Sequence, residues 1–179
     1  TLVLYSRLHL KSSTLNDQGY CPDNCHCLGN IVSCFKSVIN IKMLHWNIRT
    51  IDVAQSLFLF DGNSFLNMCL LLHLNMQKCR ILYLPPYAFQ HLVHLMFLSF
   101  DKNEIVFIQR QMFYGLRSLK YLHLCCMKLA AISDYTFHVL AKLHELNLSN
   151  NPIQEIKSKA FWGLSQLTLL NLMNCNIIY

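Results

Sequence analysis

The sequence predicts an α/β-type solenoid, a right-handed coil whose turns stack side by side with a parallel β-sheet along the concave side. Three observations lead there. Phenylalanine recurs at Phe89, Phe113, Phe137 and Phe161, one 24-residue period apart, with Leu92, Leu116, Leu140 and Leu164 three residues behind each. Leu71, Leu95, Leu119, Leu143 and Leu167 open successive units, and the fourth and sixth positions of every unit are apolar, from Leu74/Met76 to Leu170/Leu172. Finally, Cys21, Cys25, Cys27 and Cys34 crowd the front of this array. One such unit cannot bury its own apolar face, so neighbours must stack.

Alternation over the first seven positions gives a short strand with one buried face. The spacing places parallel strands near 73–77, 97–101, 121–125, 145–149 and 169–173. Wider-spaced pairs, Ile81/Leu84, Ile105/Ile108, Leu129/Ile132 and Ile153/Ile156, fold the chain back so that one coil lies on the next. The ninth position holds Asn103 and Asn151, whose amides can satisfy backbone groups at the turn leaving the strand. Cys79 and Cys175 fill the same slot with a weaker donor, and Met127 with none. The third unit is therefore expected to leave a turn carbonyl poorly satisfied.

The cluster "CPDNCHCLGNIVSC" has two chemical readings. Its thiols, with His26, could hold zinc, although structural zinc sites usually draw on two separated ligand pairs. Alternatively they staple a small knot that shields the apolar end of the first coil, with three pairings open to four cysteines. The scattered Cys69, Cys79, Cys125, Cys126 and Cys175 read as a reduced, packing-type remainder. Residues 1–20 read as a linker or lead-in, 21–34 as the N-terminal cysteine cap, and 35–70 as one or more irregular first repeats. Within the last, Ile48 and Ile51 suggest a degenerate strand and turn, while 52–60 fits no register. Residues 71–179 hold four complete units and a truncated fifth, so the parent protein is expected to continue with further repeats.

Composition excludes several classes. Hydrophobic residues make up 54% of the 179 and charged residues 13%, too apolar a balance for a disordered chain. The net charge of +6 is spread along the sequence without a basic run, so no nucleic-acid partner is expected. No stretch of 18 apolar residues occurs, and no membrane contact is expected within the segment. Phosphate-binding glycine loops, nucleophile elbows and HExxH are missing, which argues against an enzyme, and no cofactor or metal is called for. His91 and His94 could nominally share a metal, but both fall on the outer face and read as solvated side chains.

The repeat resembles the leucine-rich repeat in its extracellular form, LxxLxLxxNxIxxIxxxxFxxLxx. The cluster resembles the CPxxCxCxxxxxxC cap that precedes such repeats in secreted proteins, and this resemblance implies disulfides Cys21–Cys27 and Cys25–Cys34. "LNLSNNPIQEI" and "MFYGLRSLKYL" behind that cap are similar to the relaxin-type leucine-rich repeat G-protein-coupled receptors. Those receptors read arginines of their hormone with paired acidic residues on concave strands. Here that surface supplies Asp101 and Glu145, opposed by Lys78 and Lys102. The resemblance implies an extracellular domain, at the cell surface or secreted, that binds a protein or peptide. It suits a receptor ectodomain or, alternatively, a secreted matrix or scaffolding protein.

Positions three, five, seven and eight are expected to point away from the core. Phe97, Tyr121 and His123 should then form an aromatic patch with Lys78 and Lys102 at its rim, the composition of a protein-binding hot spot. Asn147-Leu148-Ser149 is the one glycosylation sequon, and its Asn lies on the same face.

Overall fold

The structure is a computed structural model that describes residues 21–58 and 61–178. The proposed lead-in, residues 1–20, lies outside the described residues.

Alternating burial shapes the strands in chain order: β1 (Cys25–Leu28), β2 (Ile31–Phe35), β3 (Val38–Ile39), β4 (Thr50–Ala54), β5 (Leu57–Phe58), β6 (His73–Gln77), β7 (Phe97–Ser99), β8 (Tyr121–His123), β9 (Ala131–Ile132), β10 (Glu145–Asn147), β11 (Glu155–Ile156) and β12 (Leu169–Asn171). Eight of them make one sheet in the order β1-β2-β4-β6-β7-β8-β10-β12. Every pairing in it is parallel except the β1–β2 hairpin at its edge. The fold is thus the solenoid that the period predicts. The strands of the 24-residue units after β6 are three residues long rather than five, because the chain turns immediately after the fifth position.

The irregular stretch also forms coils. Ile31 pairs with Thr50, and Thr50 with His73, so successive register partners stand 19 and 23 residues apart. Ile51 and Val53 are fully buried members of β4. The segment 52–58 defeated a 24-residue alignment because its coils are shorter, not because the strand is lost.

One apolar stack runs through the molecule. Phe65 lies 5.5 Å from Phe89, Phe113 lies 5.5 Å from Phe137, and Phe137 stacks on Phe161 at 6.1 Å, measured between ring centroids. The strand leucines Leu74, Leu98, Leu122 and Leu146 face it with no exposure. Among the described residues the outer returns are turns, short 3-10 segments (Ile41–Met43 and Arg110–Phe113) and the two-residue parallel pairs β3–β5 and β9–β11.

Disulfides Cys21–Cys27 and Cys25–Cys34 tie the hairpin at the sheet edge. The expectation for the other cysteines needs one correction. Cys79 is a buried thiol and Cys175 a half-buried one, as packing requires, but Cys69 is exposed, and Cys125 and Cys126 are half-exposed with their sulfurs in contact. Adjacent in sequence, they sit together at a strand exit rather than inside the core.

The asparagine turn needs a second correction. Asn151 Nδ2 donates to Leu148 O in its own coil and to Leu124 O in the preceding one, each at 2.8 Å. Its Oδ1 accepts from Met127 N and Leu129 N at 3.1 and 3.4 Å. Asn103 does the same for Phe100 O, Met76 O, Cys79 N and Ile81 N. The carbonyl of the Met127 unit is therefore satisfied by the next coil. Met127 instead withholds an acceptor from Asn103 N and Ile105 N, whose counterparts in neighbouring coils have one. Cys79 Sγ approaches Gln77 O at 3.3 Å, and Cys175 Sγ approaches Leu148 O at 3.4 Å, so both thiols partly imitate the amide.

Candidate concave recognition surface

Parallel pairing sets the surface, because equal positions in successive coils become lateral neighbours about 4.8 Å apart. His73, Phe97, Tyr121 and Glu145 are consecutive register partners on β6, β7, β8 and β10. The Phe97 ring stacks on His73 at 4.2 Å with an interplanar angle of 3°. Its other side meets the edge of His123 at 5.1 Å and 74°. His123 Nε2 then reaches Glu145 Oε1 at 3.1 Å. Four side chains from four strands thus form one continuous ladder. Tyr121, 41% exposed, stands beside it with its ring open to solvent.

Sequence reasoning and geometry agree on part of this surface. Phe97, Tyr121 and His123 do come together, but Phe97 takes its ring contacts from the two histidines, so the pairing is more polar than a Phe–Tyr couple. Lys78 and Lys102 are exposed at the strand exits, as a rim would require. Ser99 and Ser149, expected to point outward, are 3% and 6% exposed. Asn147 is half-buried on β10, and its Oδ1 accepts from Ser149 Oγ at 2.7 Å.

Two features were missed. Asp52 extends the fifth-position column and accepts from Asn75 Nδ2 at 2.9 Å, which adds an acidic group to the face. The 23-residue offset between Thr50 and His73 is the signal that would have placed it. The second is a backbone column: Gln55, Lys78, Lys102, Cys126, Asn150 and Asn174 all adopt φ between 52° and 60°. This left-handed bend aims the eighth-position side chains out along the rim. Asparagine tolerates it best, so Asn150 and Asn174 mark the column in the sequence.

Electrostatics are mild. Burial lowers the pKa of His73 from its ordinary value, and the nearby Asp52 carboxylate partly opposes that shift. Burial raises the pKa of the Cys79 thiol, in keeping with an inert packing role. Among the described residues no cluster of three His, Cys, Asp or Glu side chains forms that could hold a metal ion. Nor, among them, is any helix long and apolar enough to cross a membrane.

The sequence profile of the family described as "Leucine rich repeat" matches residues 69–124 and 117–177. Among curated proteins none matches the sequence. Several solved structures are similar. TLR13, crystallised in complex with ssRNA13, is 28% identical with a TM-score of 0.74, over 82% of this chain and 21% of that one. A leucine-rich repeat protein of Leptospira interrogans is 26% identical with a TM-score of 0.62, over 73% of this chain and 32% of that one. An internalin (InlF) from Listeria monocytogenes, at 24% identity and a TM-score of 0.58, shares the fold over 74% of this chain and 37% of its own. This chain thus spans between about a fifth and two fifths of those chains.

Proposed function

The chain belongs to the leucine-rich repeat family, and on that premise we propose that it recognises a protein or peptide through the concave face of its parallel sheet. The observation that carries the reading is the His73–Phe97–His123–Glu145 ladder with the open Tyr121 ring beside it. Rigid neighbouring strands hold these rings, so little conformational freedom is lost when a partner covers them. Aromatic side chains in such a setting supply most of the desolvated area of a hot spot. Lys78 and Lys102 at the rim affect the rate of approach of the partner and its salt dependence.

The N-terminal cysteine motif and the repeat letters support an extracellular setting, as the ligand-binding part of a cell-surface receptor of the relaxin-receptor kind. Asp52, Asp101 and Glu145 are the acidic groups that would read a basic hormone on this face. The runner-up is a secreted matrix or scaffolding protein using the same face. An N-glycan on Asn147 would bound the surface on its β10 side.

The test is Tyr121→Ala, with affinity for a panel of secreted proteins and thermal stability measured side by side. A true anchor loses about 2 kcal/mol of binding, roughly 30-fold, with little change in Tm. Unchanged affinity with a lowered Tm makes Tyr121 sheet packing and withdraws the docking claim. A labelled single-stranded RNA serves as the competing ligand, since the TLR13 structure contains one. RNA binding that collapses between low and physiological salt would replace the protein reading.

A further inference from the structure

The flank where the chain leaves its strands carries an apolar patch that the core does not use. Val38, Leu57, Leu82, Tyr83, Val106 and Phe107 follow the strand exits of four successive coils, each between 44% and 68% exposed. Val38 pairs with Leu57 in the short parallel β3–β5 ladder, and the rings of Tyr83 and Phe107 lie 5.8 Å apart at 45°. The repeat does not require apolar residues here. One period after another, Leu82 and Tyr83 become Val106 and Phe107, then Ala130 and Ala131, then Gln154 and Glu155. The coil buries their neighbours Ile81, Leu84, Ile105 and Ile108 instead. Single exposed apolar side chains are ordinary, but six gathered on one flank mark a surface that a partner covers.

A charged row beside the patch identifies that partner. Arg80, Glu104 and Lys128 hold the same position in three successive coils, so their signs alternate plus, minus, plus. Lys128 Nζ donates to Glu104 Oε2 at 2.7 Å, and Lys128 and Arg80 together hold that carboxyl below the usual carboxylate range. An alternating row complements its own reverse when shifted by one coil. Two copies with antiparallel coil axes, related by a two-fold axis passing between the coils of Arg80 and Glu104, set each Arg80 against the other copy's Glu104. The same operation sets Tyr83 against Phe107, Leu82 against Val106, and Leu57 against the small Ala130 and Ala131. Centring the axis on Glu104 would instead oppose two carboxylates, and Arg80 to Lys128. Running the copies parallel would set each charge against its like or against the apolar patch. The charges thus select one register.

We propose that this flank is a homodimer interface on which a second copy of the chain packs antiparallel, with Arg80 against Glu104 and Tyr83 against Phe107 in both directions. A stable interface covers about 800 Å² on each partner, so the charged row is covered together with the apolar patch. The covered aromatic rings supply most of the desolvated area, and the two symmetrical Arg80–Glu104 pairs fix the register. Glu104 gains an arginine, whose planar fork fits a carboxylate better than the ammonium of Lys128 does. The flank is separate from the concave face, so a dimer leaves Phe97, Tyr121 and His123 open to a ligand. The two readings stand or fall independently.

The test is sedimentation equilibrium of the whole 179-residue chain between about 1 and about 100 µM. The expected result is a reversible rise from the monomer mass to twice that mass across this range. Phe107→Asp, which sets a carboxylate against the Tyr83 ring of the second copy, should hold the chain monomeric with its Tm unchanged. Arg80→Glu alone should weaken the dimer at least about tenfold, because like charges then face each other. Combining Arg80→Glu with Glu104→Arg restores opposite signs and should bring the affinity back to within about threefold of the parent chain. Recovery by a second substitution cannot come from a loss of folding. A chain that stays monomeric at about 100 µM overturns the proposal and gives the flank to a different partner. A dimer that survives Phe107→Asp overturns it as well. A dimer that Phe107→Asp abolishes but neither charge variant alters overturns the antiparallel register.

Discussion

A single amide illustrates how this molecule distributes its hydrogen bonds. Asn151 is 1% exposed and serves Leu124, Met127, Leu129 and Leu148, so removing it strands buried groups in two coils at once. Each such group costs about 1–3 kcal/mol when left unpaired, and some of these recover other partners. Asn151→Ala should therefore destabilise by about 3–5 kcal/mol, measured by urea unfolding. The reciprocal change, Met127→Asn, should add about 1 kcal/mol by giving Asn103 N and Ile105 N the acceptor they lack. A drop in stability on Met127→Asn would mean that the buried methionine packs better than an amide can bond. Cysteine in the same slot shows why the turn tolerates variation: a thiol reaches the neighbouring carbonyls but offers the N–H groups little.

Across strands, the ladder couples a titration to folding. His73 is held below its ordinary pKa by burial against Phe97, while the unfolded chain protonates near the usual histidine value of about 6.5. Above that value the histidine is neutral in both states and its stabilising stack is fully present. As the pH falls below it, the unfolded state takes the proton first, so stability is lost toward the lower, folded pKa. Thermal unfolding at about pH 7.5 and about pH 5 should show a Tm fall that shrinks in His73→Phe, which keeps the stack and removes the proton site. An equal fall in both proteins would place the acid sensitivity elsewhere. The period made β6, β7, β8, β10 and β12 legible because leucine spacing directly reports which side chains face the core. It hid β4 and Asp52, because a 19- or 23-residue coil keeps the same buried pattern while breaking the count. Letters alone could not show the His73–Phe97–His123 contacts, since these depend on side-chain rotation over the sheet.

At the scale of the whole molecule, stability is a sum of coils and their shared faces. The interior coils bury Leu98, Leu122 and Leu146 completely, whereas in the last coil Leu169, Leu170 and Met173 are 51%, 36% and 68% exposed. Hydrogen exchange of this 179-residue chain should accordingly be fastest in β12 and slowest in β7 and β8. Uniform protection along the sheet would show that the coils open only together. The reach of the asparagine amides gives the array a direction as well. Asn151 completes hydrogen bonds for Met127, 24 residues earlier, and Asn103 does so for Cys79 at the same separation. During synthesis, then, a coil that has left the ribosome still waits for the following one to deliver its last bonds. Newly made chain would carry one unfinished turn at its growing end, and chaperones that shield exposed leucine would find their binding site moving along the nascent protein one repeat at a time.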